Sequence, residues 1–200
     1  MSTRDHGNST CATSCGTAEG YLIGEVHKGL RAMFLMMNEA RIGVGTQGMA
    51  MATAAYQYSV HYANERVQGS SIREARNPDA PKVAIVQHPD VRRMLLTQKV
   101  FAEGGRMLVN WMTLLSDKLS LAEGDDAKDQ EDLLSLLTPI AKAFMTETGF
   151  EAANLGMQVF GGHGFIREWG MEQLMRDVRI AMLYEGTNGI QALDLIGRKL

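Results

Sequence analysis

Residue types that define several special protein classes are scarce in this chain. Its 200 residues include only two cysteines and four prolines, which excludes a disulfide-rich miniprotein and a collagen-like chain. Neither sign of charge dominates, because 20 Lys and Arg nearly balance 23 Asp and Glu to a net charge of −3. We therefore expect no nucleic-acid partner. A hydrophobic share of 45% is typical of an ordinary globular chain.

Long apolar runs are scarce as well. No segment approaches the roughly 18–20 consecutive apolar residues needed to cross a bilayer, so we expect no membrane partner. Residues 1–15 are polar and lack the apolar stretch of a secretory signal. His6, Cys11 and Cys15 are too few and too irregularly spaced to predict a metal site. We interpret residues 1–15 as a disordered leader with reduced thiols, in a cytoplasmic protein.

The rest of the sequence has the spacing of helices. Leu30, Met33, Phe34 and Met37, for example, lie on one helical face. The pattern predicts helices at about residues 25–66, 88–121, 130–160, 171–183 and 188–200. Pro139 predicts a kink or a restart in the third of these. No segment alternates, so we predict no sheet and treat residues 67–86 as a loop. The predicted fold class is all-α, an antiparallel helical bundle.

Two features of the predicted helices have alternative interpretations. Gly43, Gly45 and Gly48 match the G-x-G-x-x-G pattern of dinucleotide sites, but they lie inside a helical stretch with no strand before them. We interpret them as small residues that let a neighbouring helix approach closely. The 14 methionines favour a deformable bundle core over a hydrophobic ligand groove.

The C-terminal third carries the most specific motifs. Tyr184-Glu185-Gly186-Thr187 places a carboxylate between an aromatic residue and a flexible glycine, before a helix that Thr187 or Asn188 could cap. Taken alone, such a carboxylate is more often a solvated turn residue. The surrounding motifs are Gln158-Val-Phe-Gly-Gly-His-Gly-Phe165, Arg176-Asp177 and Ile190-Gln191. In this combination, residues 16–200 resemble the C-terminal helical domain of the acyl-CoA dehydrogenases.

The resemblance implies an FAD-dependent α,β-dehydrogenation of an acyl-CoA to the trans-2-enoyl-CoA. Glu185 matches the family's catalytic base, and no metal is implied. The positions that match FAD contacts are Arg66, Gln158, Gly162 and Thr187. Those that match the acyl-CoA side are Asn38, Arg41, Tyr184 and Gly186. One departure is that the aromatic residue usually found just after the FAD arginine is missing here, where the sequence reads Arg66-Val67-Gln68-Gly69.

The resemblance also implies that the chain is a fragment lacking the N-terminal helical domain and most of the β-domain. Residues 16–29 would be the last edge of that β-domain and residues 30–200 the helical bundle. Because one wall of the flavin site is then missing, we expect FAD binding and turnover by the isolated chain to be weak or absent. The alternative is a non-catalytic helical assembly module or one half of a split enzyme.

Family resemblance further implies partners. An electron-transfer flavoprotein would accept the electrons of an active enzyme. We expect a homodimer or homotetramer, with Gly43, Gly45, Gly48 and the glycine turn at residues 161–164 contributing to the interface.

Overall fold

The computed structural model describes residues 16–17, 19–74 and 76–200, so the predicted leader at residues 1–15 lies outside the described residues. Three long helices dominate: α1 (Gly29–Glu65), α2 (Pro89–Leu121) and α3 (Gly124–Phe160). Three shorter helices follow: α4 (Gly162–Phe165), α5 (Met171–Arg179) and α6 (Asn188–Asp194). Strands β1 (Val67–Ser70) and β2 (Lys82–Ala84) lie between α1 and α2. The predicted all-α bundle is confirmed.

Contacts between the long helices fix their directions. Gly45 in the first half of α1 meets Met145 of α3, and Tyr62 near the end of α1 stacks on Phe160 at the end of α3, with 4.1 Å between ring centroids. The two helices therefore run parallel. Only residues 122–123 separate α2 from α3, so α2 turns back and runs antiparallel to both. The main core lies between these three helices, and Met171 and Val178 of α5 complete it at one end.

The G-x-G-x-x-G segment lies inside α1, and two of its glycines serve close packing. A methyl group added at Gly48 would overlap the main-chain carbonyl of Met145, and one added at Gly149 of α3 would overlap the backbone of Gly48. A methyl group added at Gly45 would overlap only the terminal methyl of Met145, while the backbone of Ala141 and Lys142 lies 3.4–3.5 Å away. The close-approach interpretation is confirmed for Gly45 and Gly48, whose packing partner is α3 of the same chain. Gly43 faces open space.

The prediction of no sheet was wrong for residues 67–84. β1 and β2 form an antiparallel ribbon that pairs Val67 with Ala84 and Ser70 with Lys82. The Ile85 amide also donates to the carbonyl of Arg66 at 2.8 Å, which ties the ribbon to the end of α1. Strands of four and three residues are too short to show the alternation by which strands are recognised in a sequence.

Helix α3 differs from its prediction at two points. It begins at Gly124 rather than near residue 130, with Asp125 and Asp126 in its first turn, where carboxylates interact favourably with the helix dipole. It also continues through Pro139 as one helix, which excludes the predicted restart and leaves the alternative prediction of a kink untested. A proline removes one backbone hydrogen bond, and at this position the ring is buried between neighbouring helices, whose packing holds the helix together.

The N-terminal part of the described chain is exposed. Residues 19–28 form no helix or strand, and Tyr21, Ile23 and Leu30 expose 89%, 97% and 68% of their surface. Within the described residues, no helix is long and apolar enough to cross a membrane.

Candidate functional site

The candidate base Glu185 lies in a strained turn between a 3-10 segment (Ile180–Met182) and α6. Its φ angle is +53° and that of Gly186 is +83°. Left-handed backbone is uncommon for a residue with a side chain, and it persists only where the surroundings enforce it. Gln191 of α6 contributes to this, because its buried side-chain amide donates to the carbonyls of Glu185 at 3.3 Å and Gly186 at 3.1 Å.

A buried lysine on α3 holds the same turn from the other side. Lys142 exposes none of its surface, and its Nζ donates to the carbonyl of Gly186 at 2.8 Å and to Oδ1 of Asn188 at 3.0 Å. The pKa of the Lys142 ammonium is lowered from 10.5 to about 8. Burial is the largest cause and the positive charge of Arg41 acts in the same direction, whereas the carboxylate of Glu185 opposes the shift.

Arg41, predicted to face the acyl-CoA, is buried in this structure. Its Nη1 pairs with Oδ2 of Asp194 at 3.0 Å, with side-chain exposures of 9% and 8%, and also contacts Oδ1 of Asn38 at 3.5 Å. Its Nε is buried without a hydrogen-bond partner among the described residues. Asn38 and Arg41 line one side of a cleft of about 430 Å³ between α1, α2, α3 and the C-terminal segment.

The other residues predicted next to the base are close to it in the chain, and side-chain hydrogen bonds fix two of them. The hydroxyl of Tyr184 donates to Oε1 of Gln47 on α1. Thr187 caps α6, since its Oγ1 accepts from the amide of Ile190 at 3.3 Å, which confirms the predicted cap. These contacts leave the Glu185 side chain half-buried at the junction of α1, α3 and α6.

The second predicted group lies at the far end of α1 and α3. Arg66 and Gln158 line a cleft of about 350 Å³, beside Gly161 and the ribbon residue Gln68. Arg66 is exposed, and among the residues that the structure describes its guanidinium makes one long hydrogen bond, 3.4 Å to Oε1 of Gln68. Its other donors point to no described partner and suit an anionic ligand such as a phosphate.

The structure does not bring the two groups together within one chain. Sixteen residues separate Lys142, which holds the Glu185 turn, from Gln158 along α3, or about 24 Å of helix. Gly162, the fourth predicted FAD contact, begins α4 beside Gln158 at the same far end. Thr187 belongs to the Glu185 group instead.

Three residues that shape the Glu185 site are absent from the predicted set. Lys142, Asp194 and Gln191 are each at least 93% buried, at 0%, 7% and 1% exposure. The sequence offers a weak signal for Lys142, because it falls on the same helical face as the buried residues Thr138, Met145 and Gly149. Gln191 belongs to the Ile190-Gln191 motif, but nothing in the sequence pattern predicts its contact with the turn.

Most of the chain matches a known protein family. Residues 27–200 match the family model of the acyl-CoA dehydrogenase C-terminal domain. The chain is 43% identical to a 3-methylmercaptopropionyl-CoA dehydrogenase of Ruegeria pomeroyi, over 96% of this chain and 32% of that protein. It is 38% identical to a broad-specificity linear acyl-CoA dehydrogenase of Mycobacterium tuberculosis, over 96% of this chain and 33% of that protein.

Solved structures agree with this match. An acyl-CoA dehydrogenase of Bacillus anthracis complexed with FAD is 26% identical and superposes with a TM-score of 0.71, over 87% of this chain and 29% of that one. The butyryl-CoA dehydrogenase of Megasphaera elsdenii is 26% identical and superposes with a TM-score of 0.68, over 87% of this chain and 39% of that one. The chain belongs to the acyl-CoA dehydrogenase family, as the motifs around Glu185 predict. It spans about a third of the length of the curated relatives described above.

Proposed function

We propose that this chain provides the helical part of an FAD-dependent acyl-CoA dehydrogenase in which Glu185 is the base. The observation that carries the proposal is the Glu185 turn: a carboxylate on left-handed backbone, half-buried and fixed by Lys142 and Gln191. A general base must be held within reach of the proton that it removes, and this turn restricts where the carboxylate can lie. Family membership supports the same role.

In this proposal, Glu185 takes the proton from the α-carbon of the acyl thioester onto a carboxylate oxygen. Bound FAD supplies the acceptor for the hydride that leaves the β-carbon, so that a trans-2-enoyl-CoA results. The contact between Tyr184 and Gln47 limits the movement of the residue next to the base. Asn38, Arg41, Tyr184 and Gly186 form the side of the site toward the acyl-CoA. Because Arg41 is already paired with Asp194, its contribution is a fixed positive charge.

The residues at the far end of α1 and α3 fit part of the cofactor. Among the described residues, Arg66 uses one of its guanidinium donors in a hydrogen bond, and Gln158 is exposed in the same cleft. We infer that Arg66, Gln158 and Gly162 bind the phosphate end of FAD, whereas Thr187 lies near the flavin. Since about 24 Å of α3 separates the two groups, one cofactor of a dimer would contact Glu185 of one protomer and Arg66 of the other.

The substrate class follows from the relatives' names. They act on short, linear or sulfur-containing acyl-CoA thioesters, so we infer an acyl-CoA substrate of that range. An electron-transfer flavoprotein is the inferred acceptor; one relative is named as part of a reductase–Etf complex. We infer a homodimer or homotetramer in the cytoplasm.

A second candidate function rests on the exposed apolar residues at the start of the described chain. Tyr21, Ile23, Leu30 and Met36 expose 67–97% of their surface, and an apolar surface of this kind favours association. The chain would then be an assembly module or one half of a split enzyme. Co-purification of a separate chain that carries the remaining domains would favour this candidate.

The test is a graft. Residues 27–200 replace the matching segment of the Ruegeria pomeroyi relative, and the graft is assayed with 3-methylmercaptopropionyl-CoA beside the isolated chain. We expect the graft to retain FAD and to form the enoyl-CoA, and the isolated chain to do neither efficiently. A graft that folds and retains FAD but forms no enoyl-CoA would refute the proposal.

A further inference from the structure

Lys142 is a buried charged residue whose presence needs a reason beyond packing. Its side chain is fully buried on the face of α3 that also carries Thr138 and Met145. A methionine would fill a similar volume there, and burial of an ammonium without compensation is costly. Arg41 adds a second positive charge close enough to lower the pKa of Lys142. The site therefore holds two cations where apolar side chains would be easier to accommodate.

The hydrogen bonds of Lys142 are directed at the turn that carries Glu185. Its Nζ donates to the carbonyl of Gly186 at 2.8 Å, directly after Glu185. It also donates to Oδ1 of Asn188 at 3.0 Å, and Asn188 is held in turn by its amide nitrogen, which donates to Oε1 of Glu147 and Oγ1 of Thr146, each at 3.2 Å. Lys142 thus links the left-handed turn to the rigid middle of α3.

The contacts of Gly186 show that this link fixes one backbone conformation. Its φ of +83° disfavours any side chain, and a Cβ there would lie 2.7 Å from Nε2 of Gln191. The Gly186 carbonyl accepts from Lys142 on one side and from Gln191 on the other. With both donors in place, the Gly186–Thr187 peptide cannot rotate without breaking the hydrogen bond from the Lys142 ammonium or the buried one from Gln191.

We propose that Lys142 is a positioning residue for Glu185: its buried ammonium holds the Glu185–Gly186 turn in the left-handed conformation and places a positive charge beside the carboxylate. The inference rests on the proposed role of Glu185 as the base. Two charged groups act directly on the charged form of Lys142: Arg41 disfavours it and Glu185 favours it. Two more lie one contact further away. Asp194 forms an ion pair with Arg41, and Glu147 accepts a hydrogen bond from Asn188.

The first test uses amide hydrogen exchange to measure how readily the Glu185–Gly186 turn opens in the flavin-free chain. The amide of Gln191 donates to the carbonyl of Thr187 at 3.0 Å and reports whether the turn is closed. In Lys142→Met, we expect the exchange rate of Gln191, relative to that of the core amide of Ala152, to rise about tenfold or more. Met145→Ala is the matched control, because it damages the adjacent core and leaves the turn contacts intact. An unchanged ratio in Lys142→Met, or an equal rise in Met145→Ala, overturns the proposal.

The second test keeps Lys142 in place, so that it stands even where Lys142→Met does not fold. The pKa of Lys142 is followed by NMR of its Cε in Glu185→Gln, with Glu151→Gln, an exposed glutamate of the same helix α3, as the matched control. Loss of the Glu185 carboxylate should lower the pKa of Lys142 by roughly half a unit or more, and Glu151→Gln should leave it unchanged. An unchanged pKa in Glu185→Gln would mean that the ammonium is purely structural. Both readouts are independent of FAD, so an inactive graft with intact coupling would refute only the role of Glu185 as the base.

Discussion

Replacing Gly48 by alanine should destabilise the bundle, because it separates the two parallel helices where their backbones touch. An added Cβ would lie 2.8 Å from the carbonyl carbon of Met145 and 2.9 Å from Cα of Thr146. These are main-chain atoms, so no side-chain rotation relieves the overlap. Gly149 meets Gly48 just as closely from the opposite helix, and α1 and α3 must therefore shift as whole elements.

The size of this effect follows from two opposing contributions. Overpacking of a core costs about 1–3 kcal/mol, and the upper end applies because the contact is with backbone. Alanine returns about 1 kcal/mol through its helix propensity. We expect the free energy of unfolding to fall by about 2 kcal/mol, measured by urea unfolding followed by circular dichroism at constant protein concentration.

Gly43→Ala is the control for the same substitution on the same helix. Gly43 is exposed, and a Cβ there meets nothing within 4 Å, so this variant should gain about 0.5–1 kcal/mol. If Gly48→Ala unfolds at the same urea concentration as Gly43→Ala, or at a higher one, the conclusion that α1 and α3 are in backbone contact at Gly48 is wrong.

The remaining predictions concern charge and assembly. Asp194→Asn removes the charge that balances the buried Arg41 and should lower the free energy of unfolding in urea by about 3 kcal/mol. Arg198→Ala, which removes an ion pair whose arginine is 73% exposed, should lower it by less than about 0.5 kcal/mol. Equal losses in the two variants would contradict the stabilising role of the buried pair. Because the pKa of Lys142 in the folded chain, about 8, lies below its unfolded value, the unfolded chain binds more protons between the two values and stability must rise with pH. From pH 7 to about 9.5 the native chain should therefore gain about 2 kcal/mol relative to Lys142→Met, and parallel pH curves would contradict this. Light scattering at micromolar concentration should give the mass of a dimer or tetramer, and a mass near 22 kDa would refute the inferred assembly.

The long helices could be predicted from sequence because each carries its own apolar spacing over many turns. The stripe that starts at Leu30 and the proline at the start of α2 needed no knowledge of neighbouring elements. The β-ribbon could not be predicted, since its pairing of Val67 with Ala84 is stabilised by contact with the end of α1. Of the two outcomes predicted for Pro139, a kink or a restart, the restart is excluded because the helix continues through the buried ring, whose packing lies outside local rules.

The candidate site was predictable only in part. Glu185 and Thr187 are recognisable because they belong to one contiguous motif, and the cap of α6 is a local interaction. Lys142 and Asp194 are charged residues that a sequence pattern assigns to the surface by default. Lys142 is bound by Gly186, 44 positions along the chain, and Asp194 by Arg41, 153 positions away. Only the folded chain reveals such pairs.

The most direct measurement of the central claim is rapid mixing of the FAD-loaded graft with 3-methylmercaptopropionyl-CoA while the flavin absorbance is recorded. The unmodified graft should lose its flavin absorbance on mixing. Glu185→Gln should retain FAD and still bind the acyl-CoA, but lose absorbance at least about a thousandfold more slowly, because its amide cannot accept the α-proton. Glu151→Gln, the matched substitution at an exposed position of α3, should behave like the unmodified graft. A Glu185→Gln graft that loses its absorbance as fast as the unmodified one would contradict the assignment of Glu185 as the base.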